Sequence, residues 1–302
     1  MVAKAAARED EKVPVAPPKE SVASSEVSLY RNVLKLKKEH ELENLGISFY
    51  DGETTIQWAY NADHYFHAAS TMKLAVLLGV MREVERGDLT LDAPVHIRNR
   101  FTSIVNQEPF MLDLGRDADP DVYGHLGKTL SVRELAFWMI TKSSNLATNL
   151  LVDIVGIGNI QQALDELEID GVKILRGVED TAAFQAGLNN EVTANGLLKL
   201  LRIIADRRAY SPEASEEMLN IMLEQQYRSG IPAGLPKAAR VAHKTGNIST
   251  VHHDAGIIFL EGREPYVLVV LTQFAAETGR GTAVAEVSRD IFNTLSHMTY
   301  EQ

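Results

Sequence analysis

The sequence predicts a mixed α+β (α/β) fold, with an antiparallel sheet flanked by helices and a second region made only of helices. Two observations lead to this prediction. Runs of β-forming residues lie near both ends of the chain, whereas helical periodicity fills its middle. The terminal strands can share one sheet if the two ends come together, and the central helices then form a second lobe. A length of 302 residues suits one large domain or two closely packed ones.

Local signals mark where the predicted elements begin and end. Asp51-Gly52 is typical of a hairpin turn, and Gly87 ends the first long helix. Ser131 and Glu134 form a capping box at a helix start. The expected helices are 27–41, 70–86, 132–142, one that ends near Gly156, 158–168, 193–207, 212–225 and 282–297, and the expected strands are 46–50, 55–60, 240–245, 255–260 and 266–274.

These elements predict three parts of the chain. Residues 1–26 are rich in Ala, Lys, Glu, Ser and Pro and are expected to form a disordered leader. Residues 27–66 and 228–302 are expected to form the α/β domain with the antiparallel sheet, and residues 67–227 the helical domain. Within the latter, 98–128 is expected to be rich in loops. The cleft between the two domains is the expected place for a functional site.

Composition excludes several classes of function. The net charge of −11 disfavours nucleic acid and anionic membranes as partners, because both are polyanions. The chain has no cysteine, which removes disulfides, thiolate metal sites and cysteine nucleophiles. The densest histidine cluster is His252-His253-Asp254, and adjacent strand residues point to opposite faces, so these histidines do not readily share an ion. We therefore expect no metal.

The start of the chain carries no clear targeting signal. No stretch reaches the length of a transmembrane helix, and the first residues lack the apolar core of a signal peptide. Two accounts fit this composition. The protein is cytoplasmic, or Met1 replaced an export signal.

The first motif with chemical potential is Ser70-Thr71-Met72-Lys73, a Ser-x-x-Lys pattern. Ser70 is expected at the start of the long helix, where free backbone N–H groups and the helix dipole favour negative charge. Lys73 follows one helical turn later on the same face. Its amine can take a proton from the serine if burial lowers the amine's pKa. Read alone, the pattern more often marks a helix-capping serine and a solvated lysine.

Two further short motifs are weak when each is read alone. Ser143-Ser144-Asn145 lies at a junction between predicted helices, where a hydroxyl can pass a proton to a leaving group and an amide can bind a substrate carbonyl. The plainer interpretation is a cluster of capping residues.

The third motif, Lys244-Thr245-Gly246, ends a predicted strand. A lysine there can bind a carboxylate, and the glycine allows close approach of another backbone. The backbone N–H of Asn247 can pair with that of Ser70 as an oxyanion hole. The plainer interpretation is a turn at the end of a strand.

In combination, the three motifs are specific. Their order and structural settings resemble those of class A β-lactamases and penicillin-binding serine hydrolases. The flanking residues are also similar to that superfamily, notably Ala69, Leu74, Met139-Ile140 and His243. The resemblance spans about residues 28–298.

The resemblance implies a function and a role for each residue. Ser70 is the expected nucleophile that opens a β-lactam ring and becomes acylated, with Lys73 as base and Ser143 as proton shuttle. The expected substrate-binding residues are Asn145, Lys244, Thr245, Gly246 and Asn247. The resemblance further implies a β-lactam or D-amino-acid peptide substrate, no metal or organic cofactor, no nucleic-acid partner, a monomer, and a periplasmic or secreted location.

The chain departs from the class A pattern in three places. The first and second motifs are farther apart than expected, with the extra length in 98–128. The middle residue of the second motif is Ser144, where Asp is usual, which we expect to alter scaffolding more than chemistry. Class A enzymes also carry a loop with Glu, three further residues and Asn, in which the Glu activates the hydrolytic water. Glu179 is the best candidate for this base and Asp180 the next, but the fourth position after Glu179 is Ala183. The alternative is that Glu179 is a solvated loop carboxylate.

Three functions therefore compete. The favoured one is a serine hydrolase of the β-lactamase kind, with fast acylation and fast deacylation. The second is a related DD-peptidase, amidase or esterase that releases a bound β-lactam slowly. The third is a non-catalytic sensor or binding module, which would not require Ser70, Lys73, Ser143 and Lys244 together.

Overall fold

A computed structural model describes residues 22–275 and 281–299 of the chain. Residues 1–21 of the predicted leader therefore lie outside the described part, whereas residues 22–26 belong to the first helix. Within the described residues, no helix is both long and apolar enough to cross a membrane.

The helices and strands follow the predicted order. The helices are α1 (Val22–Glu39), α2 (Lys73–Glu85), α3 (Val132–Thr141), α4 (Asn145–Val155), α5 (Ile157–Glu166), α6 (Thr181–Gln185), α7 (Ala194–Ala205), α8 (Pro212–Leu223) and α9 (Ala283–Thr299). The strands are β1 (Leu42–Asp51), β2 (Gln57–Tyr60), β3 (Phe66–His67), β4 (Pro94–His96), β5 (Phe101–Thr102), β6 (Pro109–Phe110), β7 (Thr129–Ser131), β8 (Val172–Lys173), β9 (Glu191–Val192), β10 (Arg240–Ile248), β11 (Val251–Phe259) and β12 (Tyr266–Phe274).

Strands from both ends of the chain form one antiparallel sheet. Its order is β10-β11-β12-β1-β2, so the first long strand lies beside the last. In that central pair Ile47 lies opposite Val270, and both side chains are buried. Because these residues are far apart in sequence, the sheet brings the two ends of the chain together. The predicted α+β class with a terminal antiparallel sheet is confirmed.

Two clusters of buried apolar side chains stabilise the molecule. One lies between the sheet and the terminal helices, where Leu29 and Val33 of α1 meet Val287 and Ile291 of α9. The other surrounds α2, whose residues from Lys73 to Glu83 are all buried, and it extends to the opposite face of the sheet. Burial of this much apolar surface is the main favourable contribution to folding. Helix α2 is thus a central support on which the site is built.

The structure differs from the predicted elements in local detail. The helix expected at 70–86 is a 3-10 turn at Ala69–Met72 followed by α2. The turn after β1 is longer than a two-residue hairpin, because the N–H of Asp51 donates to Ile56 and that of Gly52 to Pro265. The loop-rich segment 98–128 holds the two-residue strands β5 and β6 as well as 3-10 turns. Pairs this short have too few residues to show a period in the sequence.

Candidate active site

The nucleophile candidate lies in a cavity of about 570 Å³. Its wall includes Ser70, Lys73, Asn145, Glu179 and Asn247. These residues come from α2 and the turn before it, the start of α4, the loop after β8, and β10. The structure therefore brings together residues from the first two motifs, from the loop that carries the candidate base, and Asn247, which follows the third motif. Lys244 and Thr245 are buried and do not line the cavity.

Ser70 lies in a tight 3-10 turn that depends on a strained backbone at Ala69 and on the lack of a side chain at Gly246. Ala69, which precedes it, has a φ of +45°, a conformation that non-glycine residues adopt at a cost. Strand β10 passes close behind this turn, since a Cβ at Gly246 would lie only 3.0 Å from Thr71 Cγ2 and 3.1 Å from its nitrogen. The predicted close approach at Gly246 is present. Ser70 itself is half-buried.

Lys73 is fully buried and is held by oxygen atoms from the second motif. Its Nζ donates to the Ser143 carbonyl at 2.7 Å, to Ser143 Oγ at 3.2 Å and to Asn145 Oδ1 at 3.0 Å. Burial lowers the pKa of this amine to about 7, against the opposing effect of the Asp117 and Glu179 carboxylates. At neutral pH a large share of the amine is therefore unprotonated and able to accept a proton. Among the described residues no hydrogen bond joins it to Ser70, so proton transfer requires the two side chains to move closer together.

A second buried lysine meets the same serine. Lys244 Nζ donates to Ser143 Oγ at 3.1 Å, and burial, followed by repulsion from Lys73, lowers the pKa of Lys244 well below its usual value. Ser143 has a φ of +60°, another strained position. Its oxygen accepts from both amines, which leaves its own proton free to be donated. The Ser143 hydroxyl therefore lies within hydrogen-bond distance of two buried amines.

The two residues after Ser143 begin α4. Ser144 is the N-cap, and its Oγ accepts from the Ala147 N–H at 3.3 Å. It is fully buried and acts as a scaffold. The Asn145 amide lies between catalytic candidates, accepting from Lys73 and donating from Nδ2 to Glu179 Oε1 at 3.3 Å.

Asp117 supports the start of α4 and was missed by the sequence analysis. Its carboxylate accepts from the backbone N–H of Asn145 at 2.8 Å and of Leu146 at 2.9 Å. The Tyr123 hydroxyl donates to the same carboxylate at 3.2 Å. A carboxylate at a helix start is stabilised by the free N–H groups and the helix dipole. Asp117 thus lies where it orients Asn145 and favours a positive charge on Lys73.

Glu179 and Asp180 point in different directions from one loop. Glu179 lines the cavity, and its second oxygen accepts from the Asp113 N–H at 3.2 Å. Asp180 is buried and caps α6, with further hydrogen bonds from Ser103 and Ile104. Only Glu179 therefore offers its carboxylate toward Asn145.

An asparagine from α4 anchors this loop. Asn149 accepts from the Val178 N–H at 2.7 Å and donates to the Val178 carbonyl at 2.8 Å. A side chain at Gly177 would collide with that amide, at 2.9 Å. Gly177 and Asn149 together set the position of Glu179, the residue after Val178. Glu179 has a φ of +61°.

Histidines stabilise the strands behind the site. His243 Nδ1 lies 2.9 Å from Asp254 Oδ1, and both groups are fully buried. His253 is also buried, which lowers its pKa to about 4, and its Nε2 lies 3.0 Å from the His67 carbonyl. His67 itself lines the cavity. In the described part of the chain, no three His, Cys, Asp or Glu side chains are grouped so that they could hold a metal.

Comparison with known proteins identifies the family. A family model described as "Beta-lactamase enzyme family" matches residues 28–295. The chain belongs to this family. A β-lactamase of Bacteroides uniformis is 26% identical over 257 residues, which cover 78% of this chain and 81% of that protein.

Solved structures of the family share the fold. A structure of PBP-A is 25% identical, has a TM-score of 0.77, and the match covers 93% of this chain and 99% of that one. A variant of PBP-A, solved as an acyl-enzyme with penicillin G, is 24% identical with a TM-score of 0.75 and the same coverage. The protein is therefore a serine hydrolase of the β-lactamase and penicillin-binding type.

Proposed function

We propose that this family member opens β-lactam rings through an ester formed on Ser70. The observation that carries the proposal is the state of Lys73. A buried amine with a pKa of about 7 lines the same cavity as Ser70 and donates hydrogen bonds to Ser143 and Asn145. This combination supplies a base at neutral pH beside a half-exposed hydroxyl.

Acylation follows from the positions of these groups. The Lys73 amine takes the Ser70 proton while Ser70 Oγ attacks the lactam carbonyl. The backbone N–H groups of Ser70 and Asn247 are proposed to stabilise the resulting oxyanion. As the carbon–nitrogen bond breaks, Ser143 gives its proton to the departing nitrogen and regains one from Lys73. The amine is then neutral again, so no proton is left over.

Deacylation needs a base for water, and we propose Glu179 for this role. Its carboxylate takes a proton from water as the water oxygen attacks the ester, and it gives that proton to the Ser70 oxygen as this oxygen departs, which restores the carboxylate. Asn145, Lys244 and Thr245 are proposed to bind the amide and the carboxylate of the substrate, with Gly246 allowing strand β10 to lie alongside it. We propose no metal or organic cofactor.

A second candidate is a related peptidase, amidase or esterase that releases β-lactams slowly. A specific observation favours it. Asn149 binds the backbone of Val178, one residue before Glu179, and both Glu179 oxygens are already engaged by Asn145 and Asp113. These contacts use part of the acceptor capacity of the carboxylate and fix its direction, so they restrict where it can bind a water molecule. The likeness to PBP-A is compatible with the same alternative.

Separate rates for acylation and deacylation of benzylpenicillin distinguish the two candidates. In the β-lactamase case, Glu179→Gln leaves the acylation rate within about three-fold and slows deacylation about a hundred- to ten-thousand-fold, the usual contribution of a general base. Glu108→Gln is the matched control, because Glu108 is exposed and outside the cavity. Slow deacylation in the unchanged protein, with no further effect of Glu179→Gln, supports the second candidate.

We further propose a periplasmic or secreted location and a monomeric state, both from family membership. The substrates of such enzymes lie outside the cytoplasm.

A further inference from the structure

An arginine in the cavity wall forms no ion pair with any acidic residue in the described part of the chain. Arg176 lines the same cavity as Ser70, and only 8% of its surface is exposed. Its Nη1 donates to the Gly177 carbonyl at 3.0 Å, while its Nε is buried without any partner among the described residues. The guanidinium also lies 5.6 Å from the centre of the Phe184 ring.

The carboxylate of Asp180 attracts this guanidinium but forms no ion pair with it. Within the described residues Arg176 forms no ion pair, and the carboxylate of Asp180 is occupied by Ser103, Ile104 and Ala183. The neighbouring Asn190 is neutral, and its amide contacts the backbone of Arg176 rather than the side chain. The unbalanced charge of Arg176 also contributes, after burial, to lowering the pKa of His67.

A buried cation without a counter-charge costs free energy. Such charges in proteins are normally paired, and leaving one unpaired is strongly destabilising. A guanidinium offers several N–H donors in a plane, which match a carboxylate well. The simplest reason to keep this group in a reactive cavity is that a bound molecule supplies the negative charge.

We propose that Arg176 binds an anionic group on the acyl side of the substrate. The preferred substrates are then β-lactams or acyl peptides with a carboxylate on the acyl portion, in addition to the carboxylate assigned to Lys244. This inference rests on the proposed acylation of Ser70.

The cavity has room for such a group beside the nucleophile. Its wall includes Ile248 at the end of β10, Thr181 and Phe184 of α6, and Ser70. Arg116, which is exposed, adds a second positive charge to the wall. Glu179 and Asp180 line the same wall and oppose binding of an anion, so Arg176 and Arg116 must outweigh them.

Two penicillins that differ by one carboxylate test this inference. Carbenicillin is benzylpenicillin with a carboxylate on the side-chain carbon. We compare the second-order acylation rate constants of the two compounds for the unchanged protein, Arg176→Lys, Arg176→Gln and the control Arg228→Gln, which alters an exposed arginine outside this cavity. The ratio within each variant cancels general damage to the site.

Arg176→Gln is expected to lower the carbenicillin-to-benzylpenicillin ratio about ten-fold or more, the usual effect of losing a charged hydrogen bond. Arg176→Lys keeps part of the ratio, and Arg228→Gln keeps all of it. An equal ratio in the unchanged protein and Arg176→Gln contradicts the inference while leaving acylation of Ser70 intact. No adduct with either penicillin contradicts the proposed function, and this inference with it.

Discussion

Lys73 is an ionisable residue that is fully buried on a central helix, and this burial is what allows it to act as a base. Burial lowers its pKa to about 7, while the Asp117 carboxylate acts in the opposite direction. The balance between these effects sets the pH at which the amine becomes free. A single loop residue, Asp117, is therefore expected to tune the chemistry at Ser70.

The first prediction concerns this balance. In the unchanged protein the acylation rate should rise with pH through about 7, as Lys73 loses its proton. Asp117→Asn removes a negative charge that favours protonated Lys73, so the pKa of Lys73 falls and the rise should move to lower pH. The measurement is the acylation rate constant between about pH 5 and pH 9, in steps of about half a pH unit.

Asp121→Asn is the matched control, because Asp121 lies in the same segment but pairs with Lys142. Its profile should coincide with that of the unchanged protein. A profile of Asp117→Asn that stays in place or moves to higher pH contradicts this account of Lys73.

The sequence pointed to the motif residues but not to their supports. Ser70, Lys73 and Ser143 were found because their spacing matches a motif, and the structure places them together. Asp117 was not found, since it reaches α4 from 28 residues earlier in the chain, where no periodicity links the two. Arg176 was not found because its significance lies in a missing partner, which only a folded structure reveals. The catalytic roles remain predictions.

At the scale of elements, the loop between β8 and β9 depends on α4 for its shape. Asn149 binds both backbone groups of Val178, and Asn190 accepts from the N–H groups of Leu175 and Arg176. These side chains replace the regular pairing that a strand or helix would give to the loop backbone. The candidate base therefore has a defined position only while α4 holds the loop.

The second prediction tests this dependence. Asn149→Ala leaves two backbone groups of Val178 without partners, which should lower the free energy of unfolding by about 1–3 kcal/mol. Hydrogen exchange should become faster in residues 176–186 than elsewhere. Asn159→Ala is the control, since Asn159 makes a single hydrogen bond to Val155 on another part of the surface. Unchanged exchange in the loop of Asn149→Ala would show that other contacts hold it.

Elements were predictable where a local signal marks them. The capping box of Ser131 and Glu134 begins α3 as expected, and Pro212 begins α8. The 3-10 turn at Ala69–Met72 was not expected, because its geometry depends on the close passage of β10 behind it. Strands β3 and β9 have two residues each, which is too short for a period in the sequence to reveal them.

At the scale of the whole molecule, the sheet and the helical region each have a buried apolar cluster, and the cavity lies among elements from both. This arrangement agrees with a cleft between lobes, while the domain limits at 66/67 and 227/228 remain a prediction. The site lowers the free energy of unfolding of the whole molecule, because two lysines are fully buried near each other. Function and stability oppose each other here.

The third prediction measures that cost. The pKa of Lys73 is about 7 when folded and about 10.5 when unfolded, so between these values the unfolded chain binds more protons. The free energy of unfolding therefore gains a contribution from Lys73 as pH rises from 7 to 10, by at most about 1.4 kcal/mol per pH unit. Lys73→Met lacks this contribution, so its stability relative to the unchanged protein should decline over the same range.

Urea unfolding at several pH values supplies the comparison. Lys128→Met is the control, because the Lys128 side chain is exposed. The free energy of unfolding of Lys128→Met should differ from that of the unchanged protein by the same amount at every pH. A constant difference for Lys73→Met as well would contradict the assignment of Lys73 as a buried amine that titrates near neutrality.

The most direct test of the central claim is the intact mass of the protein after mixing with benzylpenicillin, followed from seconds to hours beside Ser70→Ala. The account predicts an increase by the mass of one penicillin in the unchanged protein, located on the peptide that contains Ser70 and absent from Ser70→Ala. The account is contradicted if no adduct forms at any time while the drug stays intact, or if Ser70→Ala is labelled equally.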